Sequence, residues 1–203
     1  MIEASDEIER LRLAVAQCRT CAVHLPNPPR PLTAFSSTAK VVIIGQAPGR
    51  LAHESGVPWN DPSGQRLRDW LVVDDEIFYD PDRIALMPMG FCFPGTGKSG
   101  DLPPRKECAP QWHEPISAIL PVDHLTLLVG TYAQTAKLAS GFGRGLEDRI
   151  RATFSSEENV LALPHPSWRV AGWMTRNPWF AEEVLPQLRA RVAKALSTRG
   201  GAQ

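Results

Sequence analysis

A three-layer α/β/α sandwich built on a four-stranded, mainly parallel sheet is the fold that this sequence predicts, on three observations. Short aliphatic and β-branched runs recur at residues 40–44, 83–89, 125–129 and 159–163. Each is mostly apolar rather than alternating, as expected of a strand covered on both faces. Helix-like stretches lie between the runs, and strands separated by helices imply crossover connections in a parallel sheet.

The elements follow in chain order. Residues 1–19 place Ile8, Leu11, Ala14 and Val15 on one helical face, with Asp6 and Glu7 early, which suits an amphipathic helix running into Cys18. Residues 26–31 hold four prolines in six positions and form a surface connector. Further helices are expected at 63–72, 105–120, 131–140 and 178–197, and the small, polar tail after Leu196 is expected to fray. The whole chain, 1–203, reads as a single domain in which residues 1–31 supply an N-terminal helix and a metal-binding connector.

Composition excludes several classes. With 43% hydrophobic residues the chain buries a core of its own, without disulfides. Its longest apolar runs fall far short of the roughly 20 residues of a membrane span. The acidic start lacks a secretory leader's basic and apolar regions, so a cytoplasmic monomer is expected. Twenty-two acidic residues balance 22 basic ones, which excludes wholesale attraction to nucleic acid but leaves room for a local basic face. Residues 165–199 supply one, with six Lys or Arg against two Glu.

In open parallel sheets the ligand crevice lies beyond the carboxyl ends of the strands, so the loops after the four runs are where chemistry is sought. The first run enters Gly45-Gln46-Ala47-Pro48-Gly49-Arg50 and the fourth enters Pro164-His165-Pro166-Ser167-Trp168-Arg169. Gly97-Lys98-Ser99 imitates the end of a phosphate-binding loop, but the earlier glycine of that motif falls on Cys92, which rules the motif out.

The cysteines are spaced as Cys18-x2-Cys21, seventy residues, then Cys92-x15-Cys108. Four thiols in a reducing compartment suit either a four-iron, four-sulfur cluster or a tetrathiolate zinc, and spacing does not choose between them. A redox CxxC normally opens a helix after a strand. This one closes a helix before a proline-rich connector, which favours ligation.

The Gln46-Ala47-Pro48-Gly49 loop, the His165-Pro166-Ser167 loop and the cysteine ladder together resemble the uracil-DNA glycosylase superfamily, closest to its iron-sulfur branches. The likeness covers almost the whole chain. It implies the same α/β/α sandwich, a 4Fe-4S cluster on Cys18, Cys21, Cys92 and Cys108, and hydrolysis of the N-glycosidic bond of uracil or a related deaminated base in DNA. Such chemistry needs the base to be flipped into a shaped pocket and to leave as an anion while positive charge builds on the sugar.

Carried onto this sequence, backbone amides of the 45–49 loop cup the base, with Ala47, Pro48 and Gly49 against it, and Trp59, in Gly56-Val57-Pro58-Trp59, stacks on it. His165 donates to the departing O2. Gln46 stands where the GEAPG branch has glutamate, and Ala52 where that branch places a further acidic residue. Asp61, ahead of Glu54, is the carboxylate expected near the sugar, because it follows the Trp59-Asn60 segment directly. The family's uracil-reading asparagine before the third cysteine has no counterpart in residues 86–91, which leaves Asn60 as its substitute. Ser167, Trp168, Arg169 and Arg176 are the expected DNA contacts, with Trp168 a wedge into the gap left by the base. The rival readings are a catalytically silent, metal-stapled nucleic-acid-binding member of the same fold and, more weakly, an electron-transfer iron-sulfur protein.

Overall fold

The computed structural model describes residues 2–98, 100–139 and 141–197. In chain order the elements are α1 (Ile2–Ala16), β1 (Val41–Ile44), α2 (Arg50–Ser55), α3 (Pro62–Leu71), α4 (Asp75–Phe78), β2 (Ile84–Leu86), β3 (Thr96–Gly97), β4 (Gly100–Asp101), α5 (Cys108–Ile119), β5 (Leu125–Val129), α6 (Thr131–Lys137), α7 (Leu146–Ser155), β6 (Val160–Leu163), α8 (Val170–Arg176) and α9 (Leu185–Ser197). A 3-10 turn spans Ala22–His24, and a π-helical segment, Phe180–Val184, leads into α9.

The main sheet is ordered β2-β1-β5-β6 and every pairing in it is parallel, with Val42 between Ala85 and Thr126, and Leu128 facing Ala162. Side chains alternate across the pleat, so each apolar run feeds two cores. Val41, Ile43, Leu86, Leu127 and Leu163 pack with Leu67 and Trp70 of α3, and with Leu188 and Val192 of α9. Val42, Ile44, Ala85 and Leu128 pack on the opposite face with Val15 of α1, Trp112 and Ile116 of α5, and Ala133 of α6. That makes the three-layer α/β/α sandwich. Burying both faces requires strands without alternation, as the four runs are.

The proline-rich connector stays at the surface and then turns inward. Leu32 N–H donates to Phe91 O, and Ala34 exchanges two backbone hydrogen bonds with Leu86, lying antiparallel along the β2 edge. The first helix ends at Ala16, and Cys18 follows it. The helix expected at 105–120 starts only at Cys108, because Pro103 and Pro104 precede it. The long last helix is interrupted by the π segment, and the six residues of the tail after Ser197 lie outside the described residues. Among those described, no helix is long and apolar enough to cross a membrane.

Candidate active site

A cavity of about 410 Å³ opens at the carboxyl end of the sheet, where the loops after β1, β2 and β6 meet. Gln46, Ala47, Pro48 and Gly49 line one side, while Trp59 and Asp61 enter from the turn before α3. His165, Ser167, Trp168 and Arg169 close the other side. Loops more than a hundred residues apart in sequence thus face one space.

Trp59 is held by its backbone as much as by its ring. Its φ of 58° lies in the left-handed region, unusual for a bulky residue. Arg68 fixes this turn: its Nη1 donates to Trp59 O (3.4 Å) and to Tyr79 Oη (3.1 Å), and its Nε pairs with Asp75 (2.7 Å). Gly64 makes the turn possible, since a Cβ there would stand 1.7 Å from Trp59 O. The indole in turn lies against Gly45, where a Cβ would be 2.7 Å from the ring.

Asp61 caps α3. Its Oδ1 accepts from Gly64 N–H at 2.7 Å, and Pro62 occupies the first helical position, where no N–H is needed. Gln46 is committed on one side only: Nε2 donates to Leu102 O at 3.3 Å, tying the β1 loop to the chain after the small β3-β4 ribbon.

His165 is half-buried and stacks with Trp59, the ring centroids 6.0 Å apart. Burial pushes the imidazole below its ordinary pKa, and the nearby charges of Asp61 and Asp101 partly offset this. The strand that carries it is anchored at its end, Leu163 O accepting from Gln134 Nε2 (2.8 Å) and Gly130 N–H (2.9 Å). Arg66 Nη1 of α3 then holds Pro166 O at 2.7 Å, so the Trp59 and His165 loops are fastened to one another. Trp168 is 75% exposed, with the Arg169 guanidinium 5.0 Å from its ring centroid.

Two expected residues are placed elsewhere. Asn60 is exposed and does not line the cavity: the left-handed turn at Trp59 sends the indole inward and leaves the next residue at the surface. Arg176 sits exposed in the last turn of α8, outside the cavity lining, because the chain becomes helical at Val170 and carries it away. Glu54, second to Asp61 among the carboxylates, pairs with Arg50 across one turn of α2 at 2.7 Å. Asp101, which sequence reasoning passed over, lines the cavity from β4.

Cys18, Cys21, Cys92 and Cys108 line a second, small cavity beside Pro29, Pro31 and Trp112, and none is in a disulfide. Phe91 N–H donates to Cys108 Sγ at 3.3 Å. Burial, then the mutual proximity of the thiols, pushes Cys108 up to about 12, and burial takes Cys92 up to about 11. Among the described residues no three His, Cys, Asp or Glu side chains form a group that closes on a metal ion.

The fold, the facing β1 and β6 loops and the cavity between them agree with a match along the chain. Residues 32–189 fit the family model of the uracil DNA glycosylase superfamily, a span that takes in the whole four-stranded sheet and every loop of the cavity. On that match, covering well over half of its length, the chain belongs to the uracil DNA glycosylase superfamily.

Proposed function

We propose that this protein is a DNA glycosylase that hydrolyses the N-glycosidic bond of uracil, or of a related deaminated base, after flipping it from the DNA. One observation carries the reading: Gln46, Trp59, Asp61 and His165, from separate segments, line a single cavity large enough for one base and its sugar.

Each side chain has a role that follows from its surroundings. Trp59, rigid in its left-handed turn, offers a flat face for the extruded base. Gln46 has given its Nε2 to Leu102 O and presents Oε1 as an acceptor, which suits the N3–H of uracil and not the bare N3 of cytosine. His165 is neutral near pH 7 because its pKa is depressed, so it donates one N–H to the developing charge on O2 without bringing a positive charge of its own. Asp61, its Oδ1 fixed by the α3 amide, sets a carboxylate beside the sugar and favours the oxocarbenium-like transition state. Trp168, exposed at the rim with Arg169 beside it, fills the gap in the stack while Arg169 and Ser167 meet the backbone.

The donor set of the second cavity fits a thiolate-held group. Cys18, Cys21, Cys92 and Cys108 would hold a 4Fe-4S cluster, with a tetrathiolate zinc as the alternative; four thiols lining one small cavity are what supports this reading. Such a cluster fastens the end of α1 to the loop after β2 and to the start of α5, and takes no part in the hydrolysis.

The test is gel cleavage of uracil-containing single- and double-stranded oligonucleotides after alkaline treatment. Wild type should cut at uracil, and His165→Ala should lose product while still binding the DNA. Wild-type protein that binds DNA yet cuts at no deaminated base would establish the silent, DNA-binding reading instead.

A further inference from the structure

Asp101 has no place in the reading above, yet it is one of the two carboxylates that reach the cavity. It sits on β4 of the small antiparallel ribbon, paired in register with Thr96, whose hydroxyl is 3.4 Å from Asp101 Oδ1. The ribbon is closed at its base by Leu102 N–H donating to Gly95 O at 2.8 Å, and tied to the site by Gln46 Nε2, which donates to Leu102 O.

The position of its other oxygen is informative. Measured from where a Cβ would stand on Gly49, Asp101 Oδ2 is 3.3 Å away and Asp61 Oδ2 is 3.7 Å away. Two carboxylates thus flank the bare Cα of Gly49, and each has its Oδ1 engaged within its own segment, Asp61 by Gly64 N–H and Asp101 by Thr96. Both Oδ2 atoms remain for a substrate or a water at the cavity.

We propose that Asp101 Oδ2 is the general base that takes the proton of the attacking water, with Asp61 as the fixed anion facing the sugar; this rests on the glycosylase reading and deepens it. In that step the water oxygen bonds to C1′ as the C1′–N bond breaks. The electron pair of that bond leaves with the base, spread onto O2 beside His165, and the water's proton passes to Asp101. The products are an abasic sugar carrying a C1′ hydroxyl and the free base, whose anion takes up the proton that Asp101 then releases, restoring the carboxylate.

The surroundings favour this division of labour. Asp61 is committed to the backbone amide of Gly64 at the start of α3, which holds its carboxylate in one place. Asp101 is held above the ordinary carboxyl pKa by partial desolvation and by the charge of Asp61, while Thr96, His165 and Arg50 pull the other way. Arg169 comes near the ribbon at Gly100, so these groups on α2, on β3, at the start of α3 and on the β6 loop make up the charged setting of Asp101. A base with a raised pKa takes a proton more readily in the transition state.

Asp101→Asn and Gly49→Ala test the assignment by single-turnover cleavage of a uracil oligonucleotide across pH, with DNA affinity measured alongside. Asp101→Asn should slow cleavage by about 100-fold or more, lose the acid limb of the wild-type profile and keep DNA affinity. Gly49→Ala, which sets a methyl between the two carboxylates, should slow cleavage in the same sense, and an unchanged urea midpoint for Asp101→Asn separates its effect on the reaction from misfolding of the ribbon. Wild-type cleavage with Asp101→Asn within a few-fold of it and the acid limb intact would overturn the role of Asp101 alone. Wild type without any cleavage would overturn the glycosylase reading and this role with it.

Discussion

The indole of Trp59 stacks with the imidazole of His165, 28° from parallel. One ring is set by a strained turn before α3 and the other by a loop at the end of β6, so the contact registers two distant loops against each other. Trp59→Ala should remove both the face offered to the base and the orientation of His165. Stacking of a base on an aromatic ring contributes about 1–3 kcal/mol. Affinity for a uracil-containing single strand should therefore fall about tenfold to a hundredfold by fluorescence anisotropy, and Trp59→Phe should recover most of it.

The same turn depends on residues that do not touch the cavity. Arg68 is buried and supports Trp59 O, Tyr79 and Asp75 together, and Gly64 leaves no room for a methyl. Gly64→Ala should cost roughly 2 kcal/mol or more of stability, because its Cβ meets backbone rather than a movable side chain. Arg68→Met should cost about 2 kcal/mol through the lost charged hydrogen bonds. Both should reduce uracil cleavage more than the loss of folded protein explains, as read by urea unfolding set beside single-turnover rates.

The parts of this architecture that are legible in the sequence are those with one dominant physical cause. The strands show because a strand covered on both faces is apolar nearly throughout, as residues 41–44 are and residues 125–129 are apart from Thr126. The His165 and Gln46 loops follow from their places at strand ends. What escapes is short or lacks periodicity. Helix α2 spans six residues, α4 four, and α7 has two buried positions to mark its inner face. Asp101 sits in a glycine-rich stretch whose ribbon has two residues per strand, too short for any alternation. Asn60 stays outside the cavity lining for a reason no pattern reveals: its neighbour Trp59 adopts a left-handed backbone under tertiary constraint.

His113 gives a signature in stability rather than activity. It is 3% exposed, its ring is stacked with Phe91, and its Nε2 lies 3.0 Å from Pro88 O, so that nitrogen carries the proton. Burial lowers its pKa to about 4, Lys137 pushes the same way, and the Pro88 carbonyl opposes them. The unfolded chain protonates this histidine near 6.5 and the folded chain resists until about 4, so the contribution is complete above 6.5 and is lost as pH falls toward 4. The loss from this residue should reach roughly 3 kcal/mol. In urea titrations from pH 7 to pH 4, His113→Gln should show a shallower decline than wild type, since glutamine keeps a donor for Pro88 and adds no titrating group.

The four thiols permit a prediction that separates their possible occupants. Cys108 and Cys92, pushed up to about 12 and about 11, are protonated near neutral pH unless a metal displaces the protons. Protein prepared without oxygen should be brown and hold iron and inorganic sulfide, and Cys92→Ser or Cys108→Ser should each remove the visible absorbance. Because the cysteines connect the segment after α1 to the loop after β2 and the start of α5, losing the cluster should lower Tm by roughly 10 °C. The sheet and the cavity beside His165 are built from other residues, so cleavage of uracil at a temperature well below that Tm should persist. A colourless protein with one bound zinc would place a tetrathiolate ion there instead, and EDTA would then reproduce the fall in Tm. A colourless, metal-free protein with an unchanged Tm in both variants would mean that the four sulfurs contribute packing alone.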